Sequence, residues 1–170
     1  EIRNRPSPVE YPGSRLADSL RWIGQLVGGG FGSRIYYLSQ GGFDTHAQQK
    51  DAHAQLLTQV SDAVAAFYRH LKALGAAERT TVVVFSEFGR RVSENGSLGT
   101  DHGVAAPLFL VSGNVRGGLH GPHPRLDDLD EGDLRFHTDF RSVYATLLEK
   151  WLHAPSARVL GRQFSLLDFI

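Results

Sequence analysis

Apolar residues recur every three or four positions in two stretches of the chain, which is the spacing of an amphipathic helix. The first stretch covers residues 14–27, and Ser14 is a candidate N-cap for it. The second covers residues 48–74 and ends at Gly75, a residue type that is common at helix C-termini. The pattern therefore predicts one medium and one long helix.

Three shorter runs are rich in apolar β-branched or aromatic residues, which favours strands: residues 34–39, 81–85 and 107–111. Strand, long helix and strand in this order predict a right-handed βαβ unit. The loop over residues 87–104 is too rich in glycine and polar residues to be a crossover helix, so we expect the third strand to be antiparallel. A last helix is predicted over residues 138–152, with Thr138 as its cap.

These elements predict an α/β domain over residues 14–170, built as a three-layer sandwich with a mostly parallel sheet flanked by helices. Residues 1–13 hold three prolines and no periodic pattern, so we expect an irregular N-terminal segment there. The chain begins with Glu1 and contains no methionine. We therefore expect a processed or truncated product of a longer protein, in which the α/β domain is only partly present.

Composition excludes several classes of function. The 170-residue chain has a formal net charge of zero, so nothing suggests binding to nucleic acid or to an anionic membrane surface. No stretch approaches the roughly 18 apolar residues of a membrane span. Cysteine is absent, which excludes disulfides, thiolate metal sites and cysteine nucleophiles, and leaves the redox compartment open.

Three polar segments adjoin the predicted strands and together carry three acids and two imidazoles. Asp44 and His46 follow the first strand, and Glu87 follows the second. Asp101 and His102 precede the third. Because ligand crevices in open α/β sheets lie at the carboxyl ends of the strands, we expect all five side chains on one rim. Oxygen and nitrogen donors without a thiol suit Mg²⁺, Mn²⁺ or Zn²⁺.

Each of these residues also has a purely structural interpretation. Asp44 and Asp101 suit turns in which a carboxylate accepts backbone hydrogen bonds, with the neighbouring histidines exposed or bonded to a carbonyl. Glu87 could be a solvated acid or an ion-pair partner of Arg90 or Arg91. Arg90 could hold a phosphate or sulfate oxygen, although arginines are common after strands.

The segments GGFDTHAQQ, TVVVFSEFGRRVSENGSLGTDHGVAAPLFLVSGNVRGGL and HTDFRSVYATLLEKWL together resemble the C-terminal part of a bacterial family named domain of unknown function 1501. The resemblance covers nearly all of residues 10–170. The family is regarded as sulfatase-like, within the alkaline phosphatase superfamily. It therefore implies a metal-dependent hydrolase that acts on small phosphate or sulfate esters, with two metal ions bound at the carboxyl edge of an α/β sheet.

Through this resemblance, residues of this chain can be matched by position to the superfamily's metal ligands. Asp44 and His46 resemble an Asp and a His on the loop that enters a long helix, although their spacing is two rather than four. The segment 86–89 resembles Ser-Asp-His-Gly, with Glu in place of Asp and Phe in place of a ligating His. His102 resembles the final His, and Asp101-His102-Gly103 could alternatively be the Asp-His-Gly motif itself.

The resemblance thus implies divalent metal ions (Zn, Mg, Mn or Ca) held by Asp44, His46, Glu87, Asp101 and His102. Arg90 would neutralise substrate oxygens, and the Ser or Thr nucleophile is expected upstream of residue 1. An extracytoplasmic or periplasmic location is also implied, and the oligomeric state stays open. The departures from the superfamily pattern favour a second hypothesis, a non-catalytic metal- or carbohydrate-binding or assembly domain that retains the fold.

Overall fold

The computed structural model describes residues 6–170; residues 1–5 of the predicted irregular segment lie outside the described part. In chain order, the helices and strands are α1 (Arg15–Gly28), α2 (Gln49–Ala73), β1 (Val82–Val84), β2 (Gly89–Arg90), β3 (His102–Gly103), β4 (Phe109–Val111), β5 (Leu129–Asp130), β6 (Asp133–Leu134), α3 (Phe140–Thr146) and α4 (Ser156–Leu160). A 3₁₀ turn (Ala77–Arg79) follows α2, and a π-helical turn (Leu147–Trp151) follows α3.

The two helices predicted in the first half of the chain are confirmed. Helix α1 begins after Ser14, whose hydroxyl accepts the Ala17 backbone N–H at 3.2 Å, as expected of an N-cap. Helix α2 ends two residues before Gly75, which has a positive φ of 62° and turns the chain out of the helix. Their boundaries lie close to the predicted ones because apolar spacing and caps are local signals.

The predicted three-layer sandwich with a mostly parallel sheet is wrong for the described residues. Their strands form three two-stranded sheets, which pair β1 with β4, β2 with β3, and β5 with β6. The last two sheets are antiparallel, and all of the strands are two or three residues long. A mostly parallel sheet needs several adjacent strands covered on both faces. Each described strand here pairs with a single other strand.

The first predicted strand, residues 34–39, is not a strand. Ile35 and Tyr37 in this run are 69% and 76% exposed. Branched and aromatic residues stabilise a strand mainly by packing against cross-strand neighbours, and this run has no strand beside it. Without it, the predicted βαβ unit does not form.

The helix predicted over residues 138–152 is present but divided. Its N-cap is Asp139 rather than Thr138, since the Asp139 carboxylate accepts the Arg141 backbone N–H at 2.9 Å. The second part of the predicted helix is the π-helical turn Leu147–Trp151. Apolar residues spaced by three and four line one side of either kind of turn, so the sequence pattern does not distinguish them.

The first of two compact units contains the described residues up to Val83, together with Glu94–Asp101 and Val111–Gly113. Its core packs small and apolar side chains, mainly of α1 and α2: Ala17, Leu20, Ala63, Phe67, Leu71, Ala76 and Ala77. The helices approach closely at Gly24, where a Cβ would lie 2.5 Å from Cε1 of His70. A side chain at this position would collide with the His70 ring, so glycine allows the C-terminal half of α2 to pack closely on α1.

The second unit contains Val84–Ser93, His102–Leu110 and Asn114–Ile170. Its C-terminal segment is held by the π-helical turn, where Lys150 Nζ donates to the backbone oxygens of Leu167 and Ile170 at 3.0 Å each. Phe169 between them is buried, with 2% of its surface exposed. Phe169 therefore anchors this segment in the interior of the unit.

Candidate metal-binding site

A loop formed by Glu94–Asp101, here called the capping loop, covers the N-terminus of α2. The first backbone N–H groups of a helix have no partner within it, and the N-cap residue Gln48 gives them no side-chain hydrogen bond. The capping loop supplies carbonyl groups at this end instead. Gln48 N donates to Ser97 at 3.0 Å and Gln49 N donates to Leu98 at 2.9 Å, so the loop is fastened to the helix start.

Asn95 organises the capping loop through both ends of its side-chain amide. Its Oδ1 accepts the backbone N–H groups of Ser97 at 3.0 Å and Gly99 at 3.1 Å, which closes the turn. Its Nδ2 donates to the His46 carbonyl at 3.0 Å and to Oδ1 of Asp101 at 3.3 Å. One side chain therefore holds the turn, the His46 backbone and the Asp101 carboxylate together.

Two carboxylates flank the imidazole of His46, and we call Asp44, His46 and Asp101 the carboxylate–imidazole cluster. Nε2 of His46 lies 3.0 Å from Oδ1 of Asp44, and Nδ1 lies 3.2 Å from Oδ1 of Asp101. The side chains are 68%, 45% and 59% exposed, in chain order, so solvent and ions can reach them. The structure thus brings together three of the five predicted ligands within the first unit.

The donor atoms of this cluster fit a divalent cation. Imidazole nitrogen and carboxylate oxygen bind zinc at about 2.0–2.2 Å, so donors 3.0 Å apart can both reach one ion. Histidines that bind metal commonly donate their other ring N–H to a carboxylate. The contacts of His46 match this arrangement if Asp44 and Nε2 bind the ion while Asp101 orients the ring from Nδ1.

Gln49 connects the two segments that carry the cluster. Its side-chain Nε2 donates to the carbonyl and to the hydroxyl oxygen of Thr45 at 3.1 and 3.0 Å. Its Oε1 accepts the hydroxyl of Thr100 at 2.8 Å. Thr45 lies between Asp44 and His46, and Thr100 precedes Asp101, so this glutamine restrains both halves of the cluster at the first residue of α2.

The other predicted site residues, Glu87, Arg90 and His102, belong to the second unit. Arg90 on β2 pairs with His102 on β3, and the imidazole of His102 stacks on the ring of Phe88 at a centroid distance of 3.8 Å. The guanidinium carbon of Arg90 lies 5.1 Å from the Phe88 centroid, and Glu87 is exposed. Phe88 thus contacts both Arg90 and His102. The functional roles of Glu87, Arg90 and His102 stay predictions.

Another histidine, His70, is buried in the first unit, with 2% of its surface exposed. Its Nδ1 lies 2.9 Å from the hydroxyl oxygen of Tyr11. Burial lowers the pKa of His70 because its charged form loses water. Burial also raises the pKa of Tyr11, against the smaller opposing effects of Arg21 and Arg69. This neutral pair fastens the segment before α1 to α2.

Three residues that shape the cluster were missed by the sequence reasoning: Asn95, Gly99 and Gln49. The Asn95-Gly96 pair is a turn signal, but nothing in the sequence indicates that the amide reaches a carbonyl 49 residues away. Gly99 is buried, and a Cβ there would overlap the His46 carbonyl group. Such contacts between distant segments have no local sequence signal.

Residues 28–168 match the model of a protein family described as "Protein of unknown function (DUF1501)". The match covers more than half of the chain, so the chain belongs to this family, as the resemblance indicated. No curated protein and no solved structure gives a significant match. The family description names no activity. Among residues 6–170, no helix combines the length and the apolar character needed to cross a membrane.

Proposed function

We propose that the protein binds a divalent metal ion through Asp44 and His46, and that this site serves the hydrolysis of phosphate or sulfate esters. The observation that carries the proposal is the imidazole between two carboxylates. A neutral imidazole donates at one nitrogen and bears a lone pair at the other, so one carboxylate faces a lone pair. A metal ion bound by that carboxylate and the ring nitrogen removes this repulsion.

Each residue of such a site would have a separate role. A bound divalent cation supplies Lewis-acid charge to an ester oxygen. Asp44 and His46 hold the ion, and Asp101 keeps the proton of the imidazole on Nδ1. Arg90 carries a planar guanidinium that suits the oxygens of phosphate or sulfate. Glu87 and His102 are proposed as additional ligands from the sequence pattern.

The choice of ester hydrolysis rests on the sulfatase-like, alkaline phosphatase-like resemblance of the polar segments. The absence of thiols and the oxygen and nitrogen donors of the cluster agree with the hard or borderline metals that such chemistry uses. The same resemblance supports an extracytoplasmic location. A small anionic ester is accordingly the proposed substrate.

A second candidate function is metal binding without catalysis, as in a binding or assembly domain. The hydroxyl nearest the proposed ligands in the chain, that of Thr45, accepts from Gln49 at 3.0 Å and lies 3.5 Å from the Phe43 carbonyl oxygen. It is therefore engaged in shaping the loop. This favours a nucleophile from elsewhere or none.

The test is calorimetric titration of the chelator-treated protein with Mn²⁺ and Zn²⁺, followed by assays with an aryl phosphate and an aryl sulfate. His46→Ala removes the central imidazole and is expected to abolish binding at this site. His123→Ala is the matched control, because that exposed histidine lies in the second unit and its Nδ1 lies 2.7 Å from the Pro124 carbonyl oxygen.

Stoichiometric binding that His46→Ala removes and His123→Ala preserves supports the metal site. Turnover of either ester that follows the metal content supports the hydrolase, and binding without turnover supports the second candidate. If neither metal binds the unsubstituted protein, the proposal is wrong.

A further inference from the structure

We infer that Asn95 is a positioning residue for the proposed metal site: it holds the Asp101 carboxylate against Nδ1 of His46 and thereby favours the tautomer in which Nε2, beside Asp44, can bind the ion. The inference rests on the proposed function for the role of the ion. The arrangement of the ring, however, can be measured without any metal.

The Asn95 amide has two separable halves. The acceptor half, Oδ1, binds the backbone N–H groups of Ser97 and Gly99 and thus forms the turn of the capping loop. The donor half, Nδ2, contacts the His46 carbonyl at 3.0 Å and the Asp101 carboxylate at 3.3 Å. Only the donor half touches the cluster, so the two halves can be tested by different substitutions.

The donor half ties the carboxylate to the residue that it must orient. Asp101 Oδ1 accepts from Asn95 Nδ2 and lies 3.2 Å from Nδ1 of His46, so one oxygen is held from both sides. The His46 carbonyl accepts from the same Nδ2. Backbone and ring of His46 are therefore positioned relative to the Asp101 carboxylate. Asp44 lies 3.0 Å from Nε2 and favours the proton there, so the contact that Asn95 holds is what favours the Nδ1–H tautomer.

A carboxylate held on one ring nitrogen selects the tautomer, and metal binding at Nε2 requires the proton to be on Nδ1. Loss of residues that orient metal-binding histidines commonly lowers metal affinity 10- to 100-fold. We therefore expect Asn95→Ala to weaken Mn²⁺ or Zn²⁺ binding by about tenfold or more. Ser97→Ala is the control within the same loop. The contacts described above use the backbone N–H and carbonyl groups of Ser97, and alanine keeps both.

Asn95→Asp separates the two halves. It keeps oxygen acceptors for Ser97 and Gly99 but replaces the donor with a carboxylate that repels Asp101. We expect the metal-free variant to fold, as judged by its thermal unfolding midpoint. Its His46 ring, observed by ¹⁵N NMR at about pH 8, is expected to carry less Nδ1–H and more Nε2–H than in the unsubstituted protein, because Asp44 faces Nε2.

The ring ¹⁵N shifts decide the inference independently of the metal. A folded Asn95→Asp variant whose His46 keeps the same tautomer as the unsubstituted protein would overturn it, as would unchanged metal affinity in Asn95→Ala. If no metal binds but Asn95→Asp still shifts the tautomer, the proposed function fails while the positioning role stands.

Discussion

Replacement of Gly99 by alanine tests whether the capping loop depends on its close approach to the segment that carries His46. Gly99 is buried, and a Cβ there would overlap the His46 carbonyl group and lie 2.7 Å from the Ala47 backbone nitrogen. Ordinary contacts of a Cβ begin at 3.4 Å. The opposing atoms belong to backbone, and those of the His46 carbonyl group are the nearest, so the loop must move away by about 1 Å to restore ordinary contact.

A movement of that size lengthens three hydrogen bonds that measure 2.9 to 3.0 Å: two from the start of α2 to loop carbonyls, and one from Asn95 to His46. They would then exceed the usual 2.7–3.2 Å range. Each such bond contributes about 1 kcal/mol, so we expect the free energy of unfolding to fall by about 2–3 kcal/mol. The proposed metal affinity should fall with it, because Asp101 ends the same loop.

Gly96→Ala is the matched control, since a Cβ at Gly96 has no atom within 4 Å and the residue has no positive φ. Its effect is expected to stay within about 0.5 kcal/mol. Urea unfolding followed by tryptophan fluorescence gives both values, and Mn²⁺ titration gives the affinities. Equal unfolding midpoints and equal metal binding for the two variants would refute the close-approach argument.

Two further predictions concern packing and capping. Because burial lowers the pKa of His70, unfolding lets it take up a proton, so stability should fall as the pH drops below about 6.5 until the folded-state pKa is passed. Urea midpoints measured against pH check this, and His70→Gln should flatten the acid limb; an unchanged limb contradicts it. Asp139→Ala should destabilise α3 by about 1 kcal/mol, as a lost N-cap does, whereas Thr138→Ala should not; equal thermal midpoints would reject Asp139 as the cap.

The parts of the fold that could be predicted depend on nearby residues. Helix α1 and helix α2 follow from apolar spacing, a Ser14 cap and Gly75, all of which are visible within one or two turns. The run 34–39 shows the limit of this approach. Its residues suit a strand, but a strand also requires a partner, and the pattern does not say whether one is available.

The residues of the candidate site were predicted from a sheet that the described residues do not form. The sequence reasoning brought Asp44, His46 and Asp101 together at the edge of a parallel sheet. In the structure the same residues meet because backbone groups of the capping loop bind the N-terminus of α2 and Asn95 reaches back to His46. Residue types indicated the chemistry, whereas the contacts that assemble it lie between distant segments without a local signal.

The capping loop contacts both the start of α2 and the proposed metal site. Its carbonyl groups accept the N–H groups at the start of α2, and its last residue, Asp101, contacts His46. A metal ion held by Asp44 and His46 would favour conformations in which Asp101 orients the ring, and hence those in which the loop is docked on the helix. Binding to the folded state alone stabilises it, by about 2.7 kcal/mol at a hundredfold excess over Kd. The ion would therefore strengthen the same contacts that Gly99 makes possible.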